Sequence, residues 1–314
     1  MDNKIKEANF VSAVIYIHNN EREITPFLEW LDTQLNLNFK KYEIICVDDG
    51  SMDASEEAVR AYGKNRAKEA VSLLHMSYFQ GLEVAMNAGV DLAIGDFVFE
   101  FDTVCMDYKT ELLMQVYRRS LEGFDIVSAS AMRKNKWTSN LFYRVFNHFS
   151  KTQYKIQNET FRILSRRAIN RVHSLSKTIP YRKVLYANCG LLADCISYTP
   201  SQKLERSFSD EQAKMRRTLA VDSLVLFTNI GYKAAVTMTG VMMVATLAAA
   251  IYAVAVFALG NPIQGWTTTI LFLAVSFFGL FSILTIIIKY LSLILQLVFK
   301  KQKYSFSSIE KITK

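Results

Sequence analysis

Two uncharged apolar runs, Ala234–Leu259 and Thr267–Ile288, stand near the end of the chain, separated only by the turn Gly260-Asn261-Pro262-Ile263-Gln264-Gly265-Trp266. At about 1.5 Å rise per residue, either run is long enough to cross a hydrocarbon core of roughly 30 Å. The pair is therefore expected to form a two-helix transmembrane hairpin. A buried helical hairpin in a soluble protein is the less favoured reading of such lengths. Everything before Lys233 has the mixed composition of a soluble α/β domain, and removing the hairpin leaves roughly 230 residues, enough for one sizeable core.

The formal net charge of +8 is placed unevenly. Lys203, Arg206, Lys214, Arg216, Arg217 and Lys233 precede the first run; Lys289, Lys300, Lys301, Lys303, Lys311 and Lys314 lie at or beyond the end of the second, and the turn carries no charge. Positive residues stay on the cytoplasmic side, so the soluble domain and both termini are expected in the cytoplasm and the turn outside. Beside a membrane run, anionic lipid headgroups rather than nucleic acid are the expected partner of these clusters. The start, Met1-Asp2-Asn3-Lys4-Ile5-Lys6-Glu7, has no apolar h-region, so no cleaved leader is expected. Cys46, Cys105, Cys189 and Cys195 show no CxxC spacing and read as reduced, mostly buried thiols. The expected organisation is an α/β domain over 1–202, juxtamembrane amphipathic helices over 203–232 (Glu211–Ile230 among them), the hairpin within 233–299, and a basic tail over 300–314.

The first hundred residues alternate strand and helix signals. Val11–His18, Tyr42–Asp49, Val71–Ser77, Phe97–Asp102 and Phe124–Ser130 are short apolar runs that suit a doubly covered sheet. Between the first two, Thr25 is placed to cap a helix with Pro26 at its first position. Asp53 and Glu56 resemble a capping box, with Gly63 as the stop. Leu82, Ala85, Met86, Gly89 and Leu92 mark a third helix. This alternation implies right-handed crossovers and a Rossmann-like, open, mostly parallel sheet. Ligands of such sheets bind beyond the carboxyl ends of the strands, where Asp48, Asp49 and Asp102 fall. The four histidines, His18, His75, His148 and His173, show no metal-ligand spacing.

Val47-Asp48-Asp49-Gly50-Ser51-Met52-Asp53, Gln80-Gly81-Leu82-Glu83-Val84-Ala85-Met86-Asn87-Ala88-Gly89 and Gly95-Asp96-Phe97-Val98, taken in order, resemble the family 2 GT-A glycosyltransferases. Phe161-Arg162-Ile163-Leu164-Ser165-Arg166-Arg167, the two apolar runs and the tail Lys289–Tyr304 are similar to its polyprenyl-phosphate branch. The resemblance implies transfer of a sugar from a UDP- or GDP-sugar to a polyprenyl phosphate at the membrane, for modification of cell-envelope glycans. It implies nucleotide-sugar contacts at Glu21, Asp48, Asp49 and Gly81, and a Mg²⁺ or Mn²⁺ ion under the diphosphate at Asp102. It also leaves room for a homo-oligomer joined through membrane helices.

Three departures qualify that resemblance. The family's Asp-x-Asp is Asp102-Thr103-Val104 here, so the second carboxylate is missing. Glu100 shares a strand face with Asp102 and is the candidate second ligand, with Asp107 downstream another. The aspartate before the Phe-Arg stretch is replaced by Gln157-Asn158-Glu159-Thr160, leaving Glu159 with Arg162 and Asp102 as the catalytic candidates. Ser209-Asp210-Glu211 stands where a Ser-Lys-Tyr is usual, so Lys203, Arg206 and Arg166 are the candidates for the acceptor phosphate. The bland readings are that Asp48 and Asp49 only shape a turn and cap a helix, that Glu100 and Asp102 serve solubility, and that the arginines meet lipid headgroups. A chain that kept the fold and lost catalysis would act as a partner or scaffold for envelope enzymes; a transferase for a different lipid acceptor is a third reading.

Overall fold

The computed structural model describes residues 5–132, 159–175, 181–201 and 304–312, with scattered helical positions between 144 and 294. Eight strands form one sheet: β1 (Val11–Ile17), β2 (Tyr42–Asp48), β3 (Ala70–Met76), β4 (Phe97–Phe101), β5 (Ile126–Ala131), β6 (Glu159–Ser165), β7 (Ala193–Tyr198) and β8 (Phe306–Ile312). Their order is β7-β5-β6-β4-β1-β2-β3-β8. The central β4-β1-β2-β3 block is parallel, as its buried Val- and Ile-rich runs predict. Beyond it, β6 runs antiparallel between β4 and β5, β7 pairs parallel with β5, and β8 runs antiparallel to β3. The sheet is thus mixed, with a Rossmann-like parallel centre.

Helices cover both faces: α1 (Ile24–Asn38), α2 (Ser55–Asn65), α3 (Leu82–Leu92), α4 (Glu111–Leu121), α5 (Arg166–Leu175) and α6 (Arg182–Asn188). Side chains alternate across each strand. Val11, Ala13, Ile15 and Ile17 join Phe99 and Phe101 in a core shared with α1, α2 and α4. Val14, Tyr16 and Val98 point the other way, into a second core with α3, Ile169 of α5 and Tyr186 of α6. All four cysteines are free, with Cys46 and Cys189 buried and Cys105 and Cys195 half-buried.

Local punctuation differs from expectation in three places. Helix α1 begins at Ile24, preceded by Glu23 with no side-chain cap, so Thr25 and Pro26 lie inside its first turn. Gly63 does not stop α2, which runs to Asn65; a Cβ there would meet Ile312 Cγ2 at 2.7 Å. That Ile312 belongs to the third difference. The segment expected as a basic tail supplies β8, because its alternating residues find the open edge of β3.

Residues 148–151 and 220–300 form a second compact unit. Its described positions at 237–248 and 269–294 are helical, and a Cβ on Gly279 would meet Met242 Sδ at 2.7 Å, so these stretches touch. Among the described residues no helix is long and apolar enough to cross a membrane. Much of the expected spans 234–259 and 267–288, and of the amphipathic stretch 203–232, lies outside the described residues.

Gly89 of α3 lies against the parallel strands: a Cβ would meet Val47 Cγ2 at 2.6 Å and crowd Val14 Cγ1. Alanine normally gains up to about 1 kcal/mol over glycine in a helix, while overpacking a rigid core costs about 1–3 kcal/mol. Gly89→Ala is therefore expected to destabilise the domain by about 1–2 kcal/mol in denaturant unfolding, whereas helix propensity acting alone would raise the midpoint.

Candidate active site at the strand ends

The ends of β1, β2, β3 and β4 place His18, Asp48 and Asp49, His75, and Asp102 along one edge. Asp48 and Asp49 are neighbours with different tasks. Asp49 is fully buried; its Oδ1 accepts from Gln80 N at 2.7 Å, and its Oδ2 from Gly81 N at 2.7 Å and Tyr16 Oη at 3.0 Å. It therefore holds the turn into α3, a structural task beside the nucleotide contact that the sequence suggested. Gly81, which precedes α3 with φ +87°, takes a conformation that glycine adopts without strain. Asp48 uses Oδ2 to accept from Ser51 N at 3.2 Å, while its buried Oδ1 has no hydrogen-bond partner. Burial pushes both carboxyls above the ordinary range.

Glu21 fastens the β1–α1 loop to the start of α2. Its N–H donates to Asp53 Oδ2 at 3.0 Å, and its Oε2 accepts from Ala54 N at 3.3 Å. The side chain stays near half exposed. Beside Asp48, Glu56 and His75 complete a cluster whose potential ligand atoms lie within 4.8 Å of one another. Sequence spacing gave no sign of it, because α2 and β3 bring the two residues together. Arg60 already supplies a cation there, 3.1 Å from Glu56 and 2.8 Å from Glu310 of β8.

At the end of β4, register decides the chemistry. Glu100 pairs directly with Arg162 across the β4–β6 ladder, on the face away from Phe99 and Phe161. Both are 0% exposed. Arg162 donates through Nη1 to Glu100 Oε2 at 2.8 Å, through Nη2 to Asp102 Oδ2 at 2.8 Å, and through Nε to Glu159 Oε2 at 3.1 Å. Arg182, opening α6, reaches the same carboxylates. Its Nη2 donates to Asp102 Oδ1 at 2.9 Å, its Nη1 lies 2.8 Å from Glu100 Oε1, and its Nε donates to Glu83 Oε2 at 3.1 Å. Tyr186 Oη donates to Glu100 Oε1 at 2.8 Å, and Lys183 Nζ is 3.9 Å from Asp102. Burial opposes ionisation of Asp102, but Arg162, Arg182 and Lys183 outweigh it and hold the carboxyl far below the ordinary range.

The expected metal pair Asp102 and Glu100 thus shares a face, as predicted, but closes on guanidinium groups. All four of its oxygens lie against a guanidinium nitrogen, and Val104 is apolar and buried. This donor set does not fit a divalent cation. Asp107 is bound by Tyr198 Oη at 2.6 Å. Glu159, expected as a catalytic group, is buried against Arg162. Arg166 stands at the far end of the sheet: β6 is antiparallel, so Ser165 lies opposite Phe97, and the Arg166 guanidinium donates to the carbonyls of Ala93 and Gly95. It is not an acceptor-phosphate residue of this crevice. Lys203 and Arg206 lie outside the described residues.

Removing one member of a buried ion cluster leaves uncompensated charge, at about 3–5 kcal/mol. Arg162→Met is expected to lose that much stability in urea unfolding; a loss under 1 kcal/mol would mean the carboxylates are not held as described. Asp102 titrates with a depressed folded value, so the stability it confers is present above the unfolded carboxylate value of about 3.9 and is lost as pH falls below it. Asp102→Asn should therefore flatten the loss of stability between about pH 4 and pH 2.

The profile of Glycosyl transferase family 2 matches residues 12–174, more than half of the chain and all but the first residue of the parallel block. An uncharacterized glycosyltransferase of Synechocystis sp. is 28% identical over 187 residues, 57% of this chain and 58% of that protein. The bactoprenol glucosyl transferase of Shigella phage SfV is 25% identical over 200 residues, 62% of this chain and 64% of that protein. Each alignment spans less than two thirds of the relative's own length. The same fold is found in mannosyltransferase PcManGT from Pyrobaculum calidifontis, solved with GDP-Man and Mn²⁺, at TM-score 0.50 and 15% identity over 94% of this chain and 89% of that one. The sheet is of the GT-A type, and the chain belongs to glycosyl transferase family 2.

Proposed function

We propose that the chain is a membrane-anchored, inverting glycosyltransferase that moves a sugar from a UDP- or GDP-sugar to a polyprenyl phosphate such as undecaprenyl phosphate, serving modification of cell-envelope glycans. The observation that carries the donor half is Asp48: a buried carboxylate at the carboxyl end of β2 with one oxygen that no protein donor meets. An imino N–H of a base or a ribose hydroxyl supplies the hydrogen bond that this oxygen lacks. The phage relative's name supports the acceptor half.

Two features support the anchor. Among the described residues of the second apolar run, Leu273, Phe277, Leu280, Leu284 and Ile287 are all exposed, at alternating spacings of four and three. An apolar stripe of that kind calls for lipid or a protein partner. And β8 pairs with β3, so the described residues before and after the two runs belong to one sheet, which supports an even number of crossings between them. The two runs then cross as a hairpin, with the catalytic domain and both termini in the cytoplasm.

In the reaction, an acceptor phosphate oxygen forms the new bond to the anomeric carbon from the side opposite the diphosphate. The anomeric carbon–oxygen bond breaks as it does so, and the nucleoside diphosphate leaves with the electron pair. No proton need be removed, because a phosphate monoester with a second pKa of about 6 is largely dianionic at neutral pH. The engagement of Glu159 by Arg162 is consistent with that. A non-catalytic partner role is the alternative, favoured by Val104 where a carboxylate is expected. Turnover separates them: the detergent-purified chain should move label from a UDP- or GDP-sugar into the organic phase when given undecaprenyl phosphate. Asp48→Asn should weaken donor binding about tenfold, the scale of one hydrogen bond to a charged group, without changing the unfolding midpoint by more than about 1 kcal/mol. A folded, membrane-inserted chain that transfers nothing would leave the partner role.

A further inference from the structure

We propose that this chain carries its own cation at Asp102: the Arg182 guanidinium occupies the carboxylate in place of a divalent metal, and the donor's diphosphate is bound without one. The second half rests on the nucleotide-sugar reading above; the first stands on geometry alone.

A Mg²⁺ or Mn²⁺ ion at Asp102 needs a carboxylate oxygen at about 2.1 Å and open space around it for water and phosphate. Here Oδ1 is held by Arg182 Nη2 at 2.9 Å and Oδ2 by Arg162 Nη2 at 2.8 Å. A dication on either oxygen would sit against a guanidinium, with like charges in contact at a site from which water is excluded. Glu100 offers no way round, since both its oxygens lie 2.8 Å from guanidinium nitrogens and Tyr186 holds one of them as well. The cluster leaves one net negative charge at most for a metal to meet, half of what a dication carries. Glu83, Glu100, Asp102 and Glu159 face Arg162, Arg182 and Lys183, four carboxylates against three cations.

Arg182 is built into this position. Its backbone N–H and its Nε both donate to Glu83 Oε2, at 2.9 and 3.1 Å, which fixes the first residue of α6 to the first turn of α3. Its Nη1 is ion-paired with Glu100 Oε1 at 2.8 Å without being aligned for a hydrogen bond, so its N–H groups are only partly engaged. Buried guanidinium donors are normally satisfied, and a phosphate oxygen is the acceptor that the planar fork of arginine suits best. Arg182 thereby supplies the fixed positive charge over Asp102 that a metal would otherwise bring, beside the diphosphate that leaves.

Two measurements on the full chain in detergent test this. The first is the electron paramagnetic resonance signal of free Mn²⁺ as the protein is added. An undiminished signal is expected, and so is any loss that Asp102→Asn leaves unchanged; one equivalent bound and abolished by Asp102→Asn overturns the proposal. The second is equilibrium dialysis of UDP and GDP in EDTA or in Mn²⁺. Affinities within about twofold of each other are expected, and a tenfold or greater drop in EDTA overturns it without recourse to any variant. Arg182→Lys should lower nucleotide affinity about tenfold, with no rescue by Mn²⁺; full rescue by Mn²⁺ would count against it. If neither nucleotide binds in either buffer, the donor reading fails, and the Mn²⁺ titration alone decides whether Asp102 holds a metal.

Discussion

The cross-strand pair of Glu100 and Arg162 ties the parallel half of the sheet to the antiparallel half. On one side of it lies the β4-β1-β2-β3 block that carries Asp48 and Asp49; on the other lie β6, β5 and β7. A charged pair at a fully desolvated position is tolerated only when nearly every lone pair and N–H is met. That requirement draws in Asp102, Glu159, Tyr186 and Arg182, and through Arg182 it draws α6 onto Glu83 of α3. Small side chains on β5 make room: Ser128 stands opposite Arg162 in the ladder. The strand-end crevice is thus shaped on this side by charge compensation more than by apolar packing.

The scaffold was largely legible in the sequence, because buried parallel strands write themselves as short β-branched runs whose ends come within a residue or two of the observed ones. The convergence of Asp48 and Asp102 followed from that alone. What could not be read was direction and distant company. Arg166 looked like a neighbour of Arg162, and only the antiparallel sense of β6 sends it to the opposite edge. Glu100 and Asp102 were correctly placed on one face, but their partner Arg182 comes from a helix some eighty residues later. No periodicity announces such a contact. His75 and Glu56 meet for the same reason, and Asp49 looked equivalent to Asp48 because nothing local says which carboxylate serves the turn.

The Asp48-Asp49 pair shows how a motif divides its labour. Asp49 spends both oxygens on the turn at Gln80 and Gly81, and Gln80 in turn exchanges side-chain hydrogen bonds with the backbone of Ser305, at 2.5 and 3.0 Å. Asp49 therefore fixes a loop that receives the chain on its way into β8. Asp48, equally buried, keeps one oxygen that no protein donor meets and lies beside Glu56 and His75. Replacing either by the other's role would fail, since they face different surroundings from adjacent residues.

The position of β8 sets a timetable for synthesis. Until residues 306–312 are made, β3 is a bare edge, α2 has an open groove at Gly63, and Arg60 lacks Glu310. All of the residues 234–288 leave the ribosome before that strand does. The sheet domain can collapse early around its parallel block, but its last ladder forms only after the apolar runs have been made. A nascent chain that stalls between those events exposes an unpaired strand, and it is then most vulnerable to mispairing with a second copy.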